Sequence, residues 1–146
     1  MVDEDADSCL AFVDLRLIDL IYEAISRYKK EVRSMQNKVI LLQSDSIGDA
    51  ADGLGTAILE TFLTVLKTEH KLPAAIFCMN RGVLALTSNA LASLKLAEIE
   101  AAGVPVYACK TCVDHYGVEA ELVAGQISGM NTFVELAAKH AVITLG

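Results

Sequence analysis

The spacing of apolar positions changes several times along the chain, and each change predicts an element. Leu10, Val13, Leu17, Ile21, Ile25, Tyr28 and Val32 recur at steps of three and four, which is one stripe of a helix. Asp7 or Ser8 offers a cap before it, while Arg27, Lys29, Lys30 and Arg33 crowd its end, where cations suit the helix dipole. Such a helix is expected either to pack on its own domain or to dock on a partner. Ser34 to Asn37 reads as a linker. Lys38 to Gln43 is a continuous apolar run of the kind found in strands buried on both faces. Helical spacing returns with Leu54, Ala57, Ile58, Phe62, Val65 and Leu66 and runs to about His70. Pro73 ends it and opens a second strand, Ala74 to Met79, followed by a loop at Asn80-Arg81-Gly82. A third helix is expected, with Thr87 or Ser88 as cap and Gly103 beyond its end. Val104 to Ala108 reads as the third strand and Glu121 to Gln126 as a short fourth. Asn131 or Thr132 to Lys139 is helix-like, and Ala141 to Leu145 is a final strand. This alternation predicts an α/β fold, a three-layer α/β/α sandwich on a mostly parallel sheet. Residues 38–146 would form that domain, with 1–37 as a helical extension.

Composition sharpens the picture in three ways. At 146 residues the chain is long enough for one domain with a sizeable core. Hydrophobic residues make up 53% but aromatics only 5%, so that core must be aliphatic. Apolarity at this level suits a sheet buried on both faces or surfaces shared in a homo-oligomer. The net charge of −7 argues against a nucleic-acid footprint, which needs clustered positive charge. Charges such as Asp14, Arg16 and Asp19 interrupt the longest apolar segments, so no membrane span is expected. The acidic start, Met1 to Asp7, does not look like a secretory signal. Four cysteines, Cys9, Cys78, Cys109 and Cys112, in a chain with this much core do not read as a secreted disulfide framework. A reducing, cytoplasmic setting is expected.

The candidate chemistry lies in Val104-Pro105-Val106-Tyr107-Ala108-Cys109-Lys110-Thr111-Cys112-Val113-Asp114-His115-Tyr116-Gly117. A strand delivers two thiols, and from Val113 a short helix or turn runs to Gly117. Ligands and chemistry in open α/β sheets gather at the carboxyl ends of strands. A helix starting there would favour a thiolate, and Lys110 would add a cation. The expected nucleophile is therefore a reachable, ionised Cys109.

A Cys-x-x-Cys pair permits three chemistries. A redox dithiol of the thioredoxin sort fits locally, but here the pair follows the third strand and no proline comes later to supply that fold's cis-proline. Zinc held by Cys109, Cys112 and His115, with Cys78 as a fourth ligand, has only one of the two knuckles of a strong signature. The third is sulfur transfer through a persulfide, which needs one exposed, low-pKa thiol and room for a partner's loop. Cys112 would then resolve or assist. Asn80 is a candidate donor to a bound sulfur species, and Asp114, His115 and Tyr116 are candidate pocket walls. The glycine-rich loop Ser44 to Gly55 lacks the ending of a phosphate loop, and its Asp45, Asp49 and Asp52 would repel phosphate. They read as a solvated loop rather than a cation site, so neither metal nor cofactor is expected.

From Lys38 to Gly146 the chain resembles the DsrE/DsrF-like family, and most closely the carboxyl-terminal domain of YedF-type proteins. The resemblance rests on Leu42 to Gly48, on Met79-Asn80-Arg81-Gly82-Val83, above all on Cys109 to Val118, and on Val123 to Met130. It implies a five-stranded parallel sheet between helices and a homo-oligomer, a trimer or hexamer. It also implies sulfurtransferase-like traffic in sulfur or selenium. The sulfur-accepting cysteine would be Cys109, with Gly117 eight residues on, and TusA-like proteins would be the donor or acceptor. Two departures are plain. Cys9 is followed by Leu10, so the Cys-Pro carrier domain that usually begins YedF-type chains is not matched. Lys110 stands where that block commonly has glycine.

Overall fold

The computed structural model describes residues 14–146. The chain divides between Arg33 and Ser34 into two units. The first contributes helix α1, Leu15–Arg33, which carries the isoleucine stripe of Ile18, Ile21 and Ile25 along one face. The proposed cap at Asp7 or Ser8, and Cys9, lie outside the described residues.

The second unit holds β1 (Lys38–Leu42), α2 (Leu54–Thr68), β2 (Ala75–Cys78), a 3-10 helix (Asn80–Leu86) and α3 (Ala92–Ala101). It continues with β3 (Val106–Cys109), α4 (Lys110–Tyr116), β4 (Gln126–Ser128), α5 (Met130–Lys139) and β5 (Ala141–Leu145). The five strands form one sheet in the order β4-β3-β2-β1-β5, and all four pairings are parallel.

Strand order dictates where the helices go. From β1 to β4 the chain steps in one direction, and right-handed crossovers keep α2 and α3 on one face. The last crossover must then return from β4 at one edge to β5 at the other, which puts α5 on the opposite face. The core follows this division. Ile40, Leu42, Ile76, Cys78, Val106 and Ala108 meet Leu59, Leu63, Leu66, Ala92, Leu96 and Ile99 in a large aliphatic cluster. The other face holds a small cluster of Leu41, Phe77 and Cys109, covered by Phe133 and Leu136 of α5. No described helix is long and apolar enough to cross a membrane.

Two expectations need correction. The fourth strand lies at Gln126–Ser128, not at Glu121 to Gln126. Residues Glu119–Glu121 form a 3-10 turn, and the run after them is tied elsewhere: the Val123 amide donates to the Leu86 carbonyl and the Gly125 amide to Glu100 Oε2. The third helix begins at Ala92, so Thr87 and Ser88 do not cap it. Thr87 instead bridges to Leu122, and the Ser88 amide donates to the Glu121 carbonyl.

Candidate functional site

Helix α4 starts at Lys110, earlier than the sequence suggests, so β3 runs into it without a loop. Cys109 is both the last residue of β3 and the N-cap of α4, and its side chain makes no capping hydrogen bond. Cys112 therefore lies in the first turn of a helix rather than before one. Val113, fully buried in the larger cluster, fixes the rotation of α4. Gly117 ends the helix at φ +63°, a left-handed conformation that glycine adopts without the clash a Cβ brings.

The expectation of a reachable Cys109 is not met within this chain. Its side chain is 3% exposed. Alternation along β3 turns Tyr107 and Cys109 to the face that α5 covers, and Cys109 packs with Leu41 and Phe77 there. The thiol that reaches the rim is Cys112, which is half-buried and packs against both clusters. Cys112 packs against the small cluster that contains Cys109, which brings the two thiols together. Burial raises the Cys112 pKa above the ordinary thiol value and the contact with Cys109 adds to that, while a hydrogen bond from the Asn80 amide pulls the other way. That bond, from the Asn80 main-chain N–H to Cys112 Sγ, measures 3.1 Å. Asn80 thus faces the site through its backbone.

The remaining predicted residues serve the surroundings. Lys110 does not face a thiolate: its ammonium is 3.0 Å from Asp114 one turn along α4, and this partner raises its pKa. His115 and Tyr116 are exposed and stack edge to face on each other, with ring centroids 5.1 Å apart. Cys78 lies on the far face of the sheet from Cys109, wholly buried, and burial pushes its thiol up to about 12. The proposed zinc set is not assembled, and among the described residues no three His, Cys, Asp or Glu side chains gather around a common point. In the acidic loop, Asp45 pairs with Arg81 at 3.2 Å and Asp52 accepts from the Leu54 amide at 3.2 Å, so two of its three acids hold structure together.

Sequence reasoning missed Gly82 as a part of the site. A Cβ there would collide with the Leu42 carbonyl, so only glycine lets the 3-10 helix sit against the end of β1. The signal is the Asn-Arg-Gly triplet after a buried strand, which the sequence presents as a loop with Asn80, not Gly82, as its candidate site residue.

Several solved structures share this fold. The ychN protein from E. coli superposes with a TM-score of 0.56 at 21% identity, over 75% of this chain and 99% of its own. MTH1491, a protein of unknown function from Methanobacterium thermoautotrophicum, gives a TM-score of 0.53 at 20% identity, covering 73% and 96%. BT1422 of Bacteroides thetaiotaomicron, also of unknown function, gives 0.51 at 14%, covering 77% and 98%. No functionally curated protein matches the sequence. The sequence pattern of one family does match, over residues 37–145, and this span takes in the whole sheet and both thiols of the site: the chain belongs to the DsrE/DsrF-like family.

Proposed function

We propose that this protein carries sulfane sulfur on its thiol pair, as a sulfurtransferase-like carrier in intracellular sulfur or selenium traffic. The observation that carries the reading is the pair itself. A half-buried Cys112 packs against the cluster that holds Cys109 at the carboxyl edge of the sheet, where a partner's loop can approach one sulfur while the other stays protected. Family membership supports the same reading.

The burial of Cys109 supports taking the roles in reverse of the sequence expectation. The thiolate fraction of Cys112, which burial reduces and the hydrogen bond from the Asn80 amide partly restores, attacks the outer sulfur of a donor persulfide. A bond forms from Cys112 Sγ to that sulfur as the donor's S–S bond breaks, and the donor leaves as a thiolate. The outer sulfur arrives as S–H and can give that proton to solvent, the anion then accepting a hydrogen bond from the Cys109 thiol; it takes a proton back from solvent before the sulfur is passed on. An acceptor thiolate then attacks the outer sulfur and Cys112 leaves as a thiolate. No net oxidation occurs in the cycle. Donor and acceptor would be thiols of other proteins, TusA-like carriers among them. The exposed Leu91, Leu94 and Val134 would be covered in a homo-oligomer.

The contact between the thiols also favours a second reading, a dithiol that closes to a Cys109–Cys112 disulfide and is reset by a thiol reductant. One experiment separates the two. Reduced protein is incubated with glutathione persulfide and its intact mass is read. A carrier gains one sulfur atom, keeps that gain in Cys109→Ser and loses it in Cys112→Ser. A loss of two hydrogens and no added sulfur would favour the dithiol. A gain that survives Cys112→Ser would move the sulfur to another residue and end the assignment.

A further inference from the structure

Asn80 stands in an uncommon backbone conformation for a residue with a side chain, at φ +50°. Asparagine tolerates that region better than most. The residues around it are pinned to the end of β1. The Met79 amide donates to the Leu42 carbonyl at 2.9 Å and the Gly82 amide to the Met79 carbonyl at 2.8 Å. The missing Cβ of Gly82 lets the same segment close on that carbonyl. The main-chain N–H of Asn80 is thereby fixed in direction, and it ends 3.1 Å from Cys112 Sγ.

A neutral thiol is a weak acceptor, so this geometry gains little for the protonated state. It gains far more when the sulfur is an anion. We infer that the Met79–Gly82 turn is a positioning device for a sulfur anion, and that the main-chain amide of Asn80 is the group that holds the thiolate, and then the persulfide, at Cys112. The inference rests on reading Cys112 as the sulfur-carrying thiol.

The other charged groups nearby are committed elsewhere. Lys110 of α4 pairs with Asp114, and Arg81, next to Asn80, pairs with Asp45. His115 is stacked on Tyr116, and Glu135 and Lys139 of α5 are exposed. Cys109 of β3 and Cys78 of β2 bring thiols, not cations, and Cys109 makes ionisation of its neighbour harder. Asn80 is a positioning residue here, because its own side chain is not required.

The test is the pH profile of Cys112 alkylation by iodoacetamide, read by peptide mass spectrometry. Asn80→Gly keeps both the amide and the positive φ, and its midpoint should stay within about 0.3 pH units of wild type. Asn80→Val disfavours the positive φ and should slow alkylation at pH 8 by about tenfold, the scale of one hydrogen bond to a charged group. Gly82→Ala should shift the profile in the same direction. A second measurement needs no variant: the Asn80 amide proton resonance of wild-type protein should move with the same midpoint as Cys112 alkylation. An Asn80 resonance that ignores that midpoint would overturn the inference. So would a folded Asn80→Val with the wild-type profile, or an Asn80→Gly that shifts as far as Asn80→Val. If these shifts appear but the wild-type protein takes up no sulfur, the carrier reading fails while the role of the turn stands.

Discussion

The two faces of the sheet are built to different standards. One face carries aliphatic side chains from β1, β2 and β3 beneath two helices, and nearly every member is sealed from water. The other has three buried members, Leu41, Phe77 and Cys109, beneath one ten-residue helix on the connection that must cross the whole sheet. The first face makes stability. The second is just deep enough to shelter one sulfur, while its neighbour on α4 reaches the edge. Cys78 and Cys109 show the consequence. Both end adjacent strands, but Cys78 points into the thick layer and Cys109 into the thin one, beside a second thiol.

The largest effect that follows is a contrast in thiol reactivity. With its pKa pushed up to about 12, Cys78 is thiolate in only about one molecule in ten thousand at pH 8, and it is also sealed from reagent. Native protein should therefore alkylate at Cys112 more than about a hundredfold faster than at Cys78, with Cys109 between them. Denaturant should erase the order. Comparable native rates at Cys78 and Cys112 would mean that the thick face opens as readily as the rim. Linkage adds a pH arm. The thiols of Cys78 and Cys112 both have pKa values raised by burial, so the folded state holds these protons more tightly than the unfolded one. The stability they contribute is complete below the ordinary thiol value of 9.0 and is lost as pH climbs above it, for Cys78 toward about 12. Urea midpoints measured from pH 8 to 11 should fall less steeply in Cys78→Ala than in wild type.

Next in size is the cost of truncating each layer. Leu96 of α3 is wholly buried, and Leu96→Ala should cost about 2–5 kcal/mol through lost burial and the cavity left behind. Leu136 of α5 is only half-buried, and Leu136→Ala should cost on the order of 1 kcal/mol. The same substitution should also speed alkylation of Cys109, since Leu136 is part of its cover. Equal losses of stability in urea unfolding would erase the distinction between the faces.

Most of the thick face was legible in the sequence, and little of the thin one was. β1 and β2 announce themselves as apolar runs, and β5 was read to its observed limits because Val142-Ile143-Thr144 is a β-branched run. β4 was misplaced because Leu122-Val123-Ala124 looks more strand-like than Gln126-Ile127-Ser128, yet only the latter can pair with Tyr107 to Cys109. The burial of Cys109 could not be read locally. It depends on Phe133 and Leu136, which lie more than twenty residues away and arrive over it only because β4 and β5 occupy opposite edges. The Asn80 amide was invisible for a different reason: sequence patterns report side chains, and this contact is made by the main chain.

Lys110 provides the smallest expected effect and the finest test of the contrast. Sequence alone suggests that a lysine beside Cys109 stabilises a thiolate. In the folded chain its side chain is 65% exposed and its ammonium is held 3.0 Å from Asp114, so its field is largely cancelled by a neighbour and screened by water. Lys110→Met should therefore move the alkylation midpoint of Cys112 by less than about 0.3 pH units, and raising the salt concentration should leave wild type and variant equally unmoved. Asp114→Asn is the sharper arm, because it frees the ammonium without removing it. If the lysine then swings toward the rim, the Cys112 midpoint falls and the fall is lost at high salt. A large, salt-sensitive shift in Lys110→Met itself would mean that the cation, and not the amide opposite it, is what the thin face offers to sulfur.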